Sequence, residues 1–149
     1  MQDKNLIIRE TEKPDVFALK ELMNDLGYNT TKYEMTIRFN NIHKHIDYKT
    51  FIATIDKQIL GMVGLTKNYF YEQKGIYVRV VALVTNYQFR QNGIGKKLMK
   101  TAESWAKDIG ADTILLNCGN REERKIAHLF LSKNWLRNQI FRFHQKNKA

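Results

Sequence analysis

The chain has 149 residues, the length of one ordinary domain, and can bury a core without staples. Its 43% hydrophobic and 27% charged residues fit a globular chain, no run nears the roughly 20 apolar residues of a membrane helix, and a lone cysteine, Cys118, excludes an internal disulfide. The formal net charge of +10 favours an anionic partner, although the cations are scattered except for Arg90, Lys96, Lys97 and Lys100. Met1-Gln2-Asp3-Lys4 carries no basic-then-apolar leader pattern, so the expected location is the cytoplasm.

Leu6-Ile7-Ile8-Arg9 reads as an opening strand. Pro14 suits the first turn of a helix, where a missing N–H costs nothing; Val16, Leu19, Met23 and Leu26 follow at helical spacing and Gly27 ends the run. Thr31 with Glu34 is a capping-box pair that opens a second helix to about His43, with few apolar positions and therefore expected to lie exposed. Thr50–Ile55, a polar turn at Asp56-Lys57-Gln58 and Ile59–Tyr71 form a predicted antiparallel hairpin. Ile76–Val84 is apolar on both faces through Val78, Val80, Val81, Ala82, Leu83 and Val84, as expected of a central strand. Asn92–Ile109 is the clearest helix, with Ile94, Leu98, Ala102, Trp105 and Ile109 on one stripe, an exposed Glu103/Lys107 pair and Gly110 as the stop. Thr113–Asn117 is a further strand, Asn120 with Glu123 caps a further helix carrying Ile126, Ala127, Phe130 and Leu131, and Leu136–Phe143 is a last strand. With no linker, repeat or low-complexity segment, residues 1–149 read as a single domain of mixed α/β (α+β) class, with helices covering a mostly antiparallel sheet.

The chemistry concentrates between Val84 and Lys97, where a central strand enters a helix through Gly93 and Gly95. The first turn of a helix offers N–H groups without internal partners and the positive end of the macrodipole, which together bind anions. Glycines let the backbone approach, and Arg90 can contact phosphate oxygens through two N–H groups. The pattern Arg-x-x-Gly-x-Gly lies late in the chain and lacks the third glycine of a dinucleotide fingerprint; a Walker loop needs a glycine five positions before Gly95, and there is none.

The segment Leu83 to Gly95 resembles the acetyl-CoA-binding motif of the GNAT superfamily of N-acetyltransferases: an apolar strand, a short linker, then [RQ]-x-x-G-x-[GA] opening a helix. Cys118–Phe130 is similar to the family's second conserved region, a strand followed by a helix carrying A-H-x-F-Y, and the element order matches over nearly the whole chain. The resemblance implies acetyl transfer from acetyl-CoA to a small-molecule or peptide primary amine in a direct ternary complex, without a metal, and it allows a homodimer. Main-chain groups of Leu83, Val84 and Thr85 would pair with the pantetheine arm like an added strand. Amides around Asn92, Gly93, Ile94, Gly95 and Lys96 would hold the pyrophosphate, with Arg90 and Gln91 at the rim. The N–H polarising the thioester carbonyl would be that of Val84. Asn120 would contact the cofactor, or serve only as a helix cap.

Two departures fall in one stretch: the tyrosine that usually follows the phenylalanine is Leu131, and the glycine four residues beyond is Trp135. Ser132 is then the candidate proton donor, acting through water, and Glu72 the candidate base, with Glu34 and Asp47 as further carboxylates able to attract a cationic acceptor. Tyr69, Phe70 and Tyr71 are candidate walls of an acceptor pocket or core residues. Cys118, His128 and the His43-x-His45 pair read as structural, since no paired base or further ligand accompanies them. Two other functions stay open: a catalytically weak acyl-CoA-binding regulatory module, suggested by Leu131 and Trp135, and a nucleic-acid-binding domain, which the charge alone supports and no binding motif does.

Overall fold

The computed structural model describes residues 5–86 and 93–116. One five-stranded sheet runs in the order β1 (Leu6–Glu10), β2 (Tyr48–Ile55), β3 (Gln58–Tyr69), β4 (Ile76–Thr85), β5 (Thr113–Leu116). The first three pairings are antiparallel and β4–β5 is parallel, as the intervening helix α3 (Ile94–Asp108) requires. Helices α1 (Val16–Leu26) and α2 (Lys32–His43) fill the connection from β1 to β2. This is the mixed, mostly antiparallel architecture expected from the sequence.

The two faces of the sheet bury two cores. On one, Ala53, Leu60, Val63, Leu65, Val78, Val80, Leu83 and Ile114 meet Ile94, Leu98, Met99, Ala102 and Ala106 of α3. On the other, Ile52, Met62 and Val84 meet Val16, Leu19 and Leu22 of α1 and Met35 and Phe39 of α2. The stripe of α1 centres on Leu22, with Met23 and Leu26 at its partly buried margin. In α3, Ile94, Leu98 and Ala102 are buried as expected, while Met99 and Ala106 take the places nearest the sheet and Trp105 and Ile109 lie at the edge. Helix α2 buries only Met35 and Phe39, in keeping with its sparse apolar pattern.

Local signals set the boundaries. Thr31 Oγ1 accepts from the Glu34 N–H at 3.1 Å and Glu34 Oε1 accepts from the Thr31 N–H at 2.9 Å, completing the capping box. Those bonds, the Thr31 N–H foremost, hold the Glu34 carboxyl below its ordinary range. Asp56 and Lys57 both adopt positive φ, 51° and 70°, the conformation of a two-residue hairpin turn. Strand β3 ends at Tyr69 rather than Tyr71, because the chain bends over residues 71–75 and the Phe70 ring turns back onto Tyr77 at 4.7 Å. The helix expected after Asn120 and the strand expected at Leu136–Phe143 lie outside the described residues.

At the sheet's outer edge, Arg9 of β1 grips Asp15 with two hydrogen bonds, 2.9 and 3.0 Å, and Asp15 also accepts from the Glu12 N–H at 2.7 Å in the 3-10 turn that starts at Lys13. Burial alone would push the Asp15 carboxyl up; the Arg9 and Glu12 hydrogen bonds outweigh it and hold the group below its ordinary range. A depressed carboxylate stabilises the fold above its unfolded pKa and loses that contribution as pH falls through its folded pKa. Asp15→Asn is therefore expected to cost about 1–2 kcal/mol at neutral pH, with the difference from the parent protein vanishing as pH drops below ~3.9. Urea denaturation of both proteins across pH checks this; a gap independent of pH contradicts the ion-pair account.

Candidate active site

The C-terminal end of β4 and the N-terminal end of α3 meet over one residue of β3. Gly61 pairs with Thr85, and a Cβ built on Gly61 would lie 3.1 Å from Ile94 Cγ2, Leu98 Cδ1 and the Val84 carbonyl oxygen. Only hydrogen at this position lets the first two turns of α3 seat directly on the sheet beside the β4 end.

Helix α3 begins at Gly93, whose φ of 81° is the left-handed conformation that glycine adopts without strain. The first helical bond runs from the Lys97 N–H to the Gly93 carbonyl at 3.1 Å, so the N–H groups of Gly95 and Lys96 precede the helical ladder. Among the described residues no side chain caps this end, and the first turn holds no acidic residue. Lys96, Lys97 and Lys100 are exposed around it. Dipole, orphan N–H groups and three ammonium groups share one place and one sign.

Strand β4 is not a plain ladder. Its register against β3 jumps between Gly64↔Ala82 and Leu65↔Val80, leaving Val81 as an extra, bulged residue that is 43% exposed. The pairing to β5 covers Tyr77–Val80, and β4 continues beyond the bulge to Thr85. Among the described residues no strand pairs with Leu83–Thr85 on the side away from β3.

The phase of the β3–β4 ladder follows from one bond: the Asn86 N–H donates to the Leu60 carbonyl at 2.7 Å. With Thr85 opposite Gly61, that bond makes Met62↔Val84 the hydrogen-bonded pair and turns the main-chain groups of Leu83 and Thr85 away from β3. The sequence-based assignment of the carbonyl-polarising N–H to Val84 does not fit this phase, because Val84 spends its groups on Met62. The outward donor is that of Leu83.

The chain matches the model of the Acetyltransferase (GNAT) family over residues 16–132. It belongs to the GNAT family of acetyltransferases. A GNAT family acetyltransferase structure from Staphylococcus aureus is 33% identical, covering 78% of this chain and 89% of that one, with a TM-score of 0.74. A glucosamine-6-phosphate N-acetyltransferase from Arabidopsis thaliana (20% identity, 85% and 90% coverage, TM-score 0.71) and an aminoglycoside 6'-N-acetyltransferase from Acinetobacter baumannii (14%, 84% and 88%, 0.73) share the GNAT fold. No curated protein matches significantly.

The other expected site residues separate into three groups. Leu83, Val84, Thr85, Gly93, Ile94, Gly95 and Lys96 come together at the β4–α3 junction, with Ile94 buried as the helix's anchor. Arg90, Gln91, Asn92, Asn120 and Ser132 lie outside the described residues, as do Cys118, His128, Leu131 and Trp135. The carboxylates are elsewhere. Glu72 is exposed in the bend joining β3 to β4, and β4 runs from Ile76 to Leu83 before reaching the α3 start, roughly 20 Å along the strand. Glu72 and the α3 start therefore lie at opposite ends of β4. Glu34 is committed to its helix cap beside an open depression of about 410 Å³ lined by Lys20, Asn24, Thr30 and Lys32. Asp47 precedes β2, where its carbonyl accepts the Lys67 N–H at 2.8 Å. Among the described residues, no three His, Cys, Asp or Glu groups converge as metal ligands and no helix is long and apolar enough to cross a membrane. His43 stacks on Phe39 and His45 packs edge-on against Tyr48.

Gly61→Val tests the seating of α3. Overpacking against Ile94, Leu98 and a main-chain oxygen is expected to cost about 1–3 kcal/mol. The same change should displace the helix start and weaken binding of coenzyme A by at least tenfold. Calorimetric titration with coenzyme A at a temperature where the variant remains folded gives the answer; unchanged affinity would show that the junction does not depend on this contact.

Proposed function

We propose that the protein is an N-acetyltransferase that moves an acetyl group from acetyl-CoA to a primary amine in one ternary complex. The observation that carries this reading is the junction itself. An uncapped, cation-flanked helix start lies beside a strand end whose Leu83 and Thr85 main-chain groups face outward, in a chain of the GNAT family.

The residues present fit acetyl-CoA as acyl-donor substrate. Its pantetheine amides would pair with the outward main-chain groups of Leu83 as a short added strand, with Thr85 assigned by the sequence motif. Its pyrophosphate would sit on the N–H groups of Gly93 to Lys96, with Lys96, Lys97 and Lys100 neutralising charge; Arg90, Gln91, Asn92 and Asn120 are assigned by the sequence motif. The thioester carbonyl would then accept from the Leu83 N–H. The amine nitrogen attacks the carbonyl carbon, the C–N bond forms, the C–S bond breaks, and the thiolate leaves as coenzyme A after taking a proton. Rate enhancement comes mainly from holding amine and thioester together. With Glu72, Glu34 and Asp47 away from the junction, the proton lost by the amine goes to water, and the thiolate takes its proton from water or, through water, from Ser132.

The displaced carboxylates also favour a second reading, a catalytically weak acyl-CoA-binding regulatory module. Calorimetry with acetyl-CoA and a thiol-release assay over a panel of primary amines separate the two. Binding with turnover supports the enzyme, binding without turnover supports the module, and no binding of acetyl-CoA defeats both. Glu72→Gln is expected to leave kcat/KM within about twofold, because exposed turn residues distant from the chemistry rarely matter; a loss of a hundredfold would restore Glu72 as the base.

A further inference from the structure

The face of the sheet that carries α1 changes character along its length. Strand pairing places Ile52, Met62 and Val84 in one row, Thr50, Gly64 and Ala82 in the next, and Tyr48, Thr66, Arg79 and Leu115 in a third. The first row is apolar and packed under α1 and α2. The second carries only small side chains at Gly64 and Ala82: Gly64 is buried, with Ala82 Cβ, Met62 Cε and Val81 Cγ2 each 3.6 Å from where its Cβ would lie, and the bulged Val81 stands exposed beside it. The third is polar, and within it Arg79 Nε is buried with no hydrogen-bond partner among the described residues.

A guanidinium N–H left unpaired away from water is costly, and native structures seldom keep one without a purpose. Its cross-strand neighbour supplies a second donor. Thr66 is buried, and its Oγ1 accepts from Asn68 Nδ2 at 2.9 Å, which leaves the hydroxyl hydrogen to donate. Directly opposed residues of an antiparallel pair share a face, so the two donors are neighbours. Among the described residues Arg79 makes no ion pair; of the carboxylates at this end of the sheet, Asp47 makes its described contacts through its main chain, Asp112 accepts from the Thr113 hydroxyl, and Glu72 is exposed in the bend. The strand from Arg79 to Leu83, one residue of it bulged, spans roughly 10–13 Å. The small-residue Gly64/Ala82 row lies between.

We propose that the acceptor is a small amine that carries an oxyanion, a carboxylate or a phosphate, held by Arg79 and Thr66 while its amine lies over the small-residue row toward the Leu83 N–H. This rests on the acetyltransferase reading for the position of the amine, and on Arg79 and Thr66 alone for the anion. The planar guanidinium matches an oxyanion in a way that an ammonium does not.

The test uses the full chain and matched probes: glycine against glycinamide for a carboxylate, and phosphoethanolamine against ethanolamine for a phosphate. Each is titrated by calorimetry with and without saturating acetyl-CoA, and each is assayed for thiol release. At least one anionic probe is expected to bind about 10- to 100-fold more tightly than its neutral partner, the scale of one charge-assisted hydrogen bond. Which pair shows the difference tells carboxylate from phosphate. Arg79→Gln should abolish that preference through the acceptor's KM and leave acetyl-CoA affinity unchanged. Arg79→Lys, which keeps the charge and packs with least disturbance, should retain only part of it, and thermal melts verify that each variant is folded. Equal binding of both members of both pairs to the parent protein, or a preference that survives in Arg79→Gln, overturns the proposal. Failure to bind acetyl-CoA strikes the acetyltransferase reading instead, and the anion preference measured without acetyl-CoA still decides the role of Arg79.

Discussion

The contact of α3 with the sheet over Gly61 is the constraint on which the site depends. A helix packed at ordinary distance would hold its first turn away from the strand, and its orphan N–H groups would face solvent beside nothing. With hydrogen at position 61, Ile94 and Leu98 reach the β3 main chain, and the helix start comes level with Thr85, the strand partner of Gly61. The anion-binding end and the outward main-chain groups of β4 are thereby set side by side by packing, with no dedicated side chain to position them. The same apolar residues that stabilise the fold, Ile94 and Leu98, fix the geometry of the site.

The bulge at Val81 does complementary work. Along Tyr77–Val80, β4 is a central strand with β5 on one side and β3 on the other; beyond the bulge its partner among the described residues is β3. An extra residue bends a strand and increases its local twist. The cost is an unpaired residue and an exposed valine. Beyond the bulge, the ladder phase turns the main-chain N–H and C=O of Leu83 away from β3, in the geometry of a strand edge.

Much of this was legible in the sequence. Helices α1 to α3 announce themselves through Pro14, the Thr31/Glu34 box, the Ile94–Ala102 stripe and the stops at Gly27 and Gly110, each a local signal. The Gly93 loop was readable because a helix start is also local. The bulge was not, since Val80-Val81-Ala82-Leu83-Val84 is apolar throughout and carries no mark of where the register slips. Without the bulge and the ladder phase, Val84 and Leu83 cannot be told apart as carbonyl donors. Glu72 shows the same limit: proximity to a turn was legible, but which end of a ten-residue strand that turn occupies relative to the α3 start is a tertiary fact. Arg79 did leave a signal, a lone charge inside an otherwise apolar central strand, which the reading of β4 as apolar on both faces passed over.

That signal also bears on the meaning of the net charge of +10. A total charge steers any anion and selects none, because exposed lysines interact through water and salt. The cations that can discriminate are those whose surroundings restrict what may pair with them. Lys96, Lys97 and Lys100 are exposed and act as a field around a helix start, suited to a multiply charged phosphate that the N–H groups recognise. Arg79 is different in kind: its Nε is withdrawn from water, its neighbour Thr66 is buried, and a ligand must bring a correctly placed oxyanion to satisfy it. Specificity in a shared fold arises at such positions, where an unmatched partner leaves a buried donor unpaired and is rejected for that reason. On the proposed reading the two basic features therefore divide the work, one drawing in acetyl-CoA, the other setting the chemical class of acceptor.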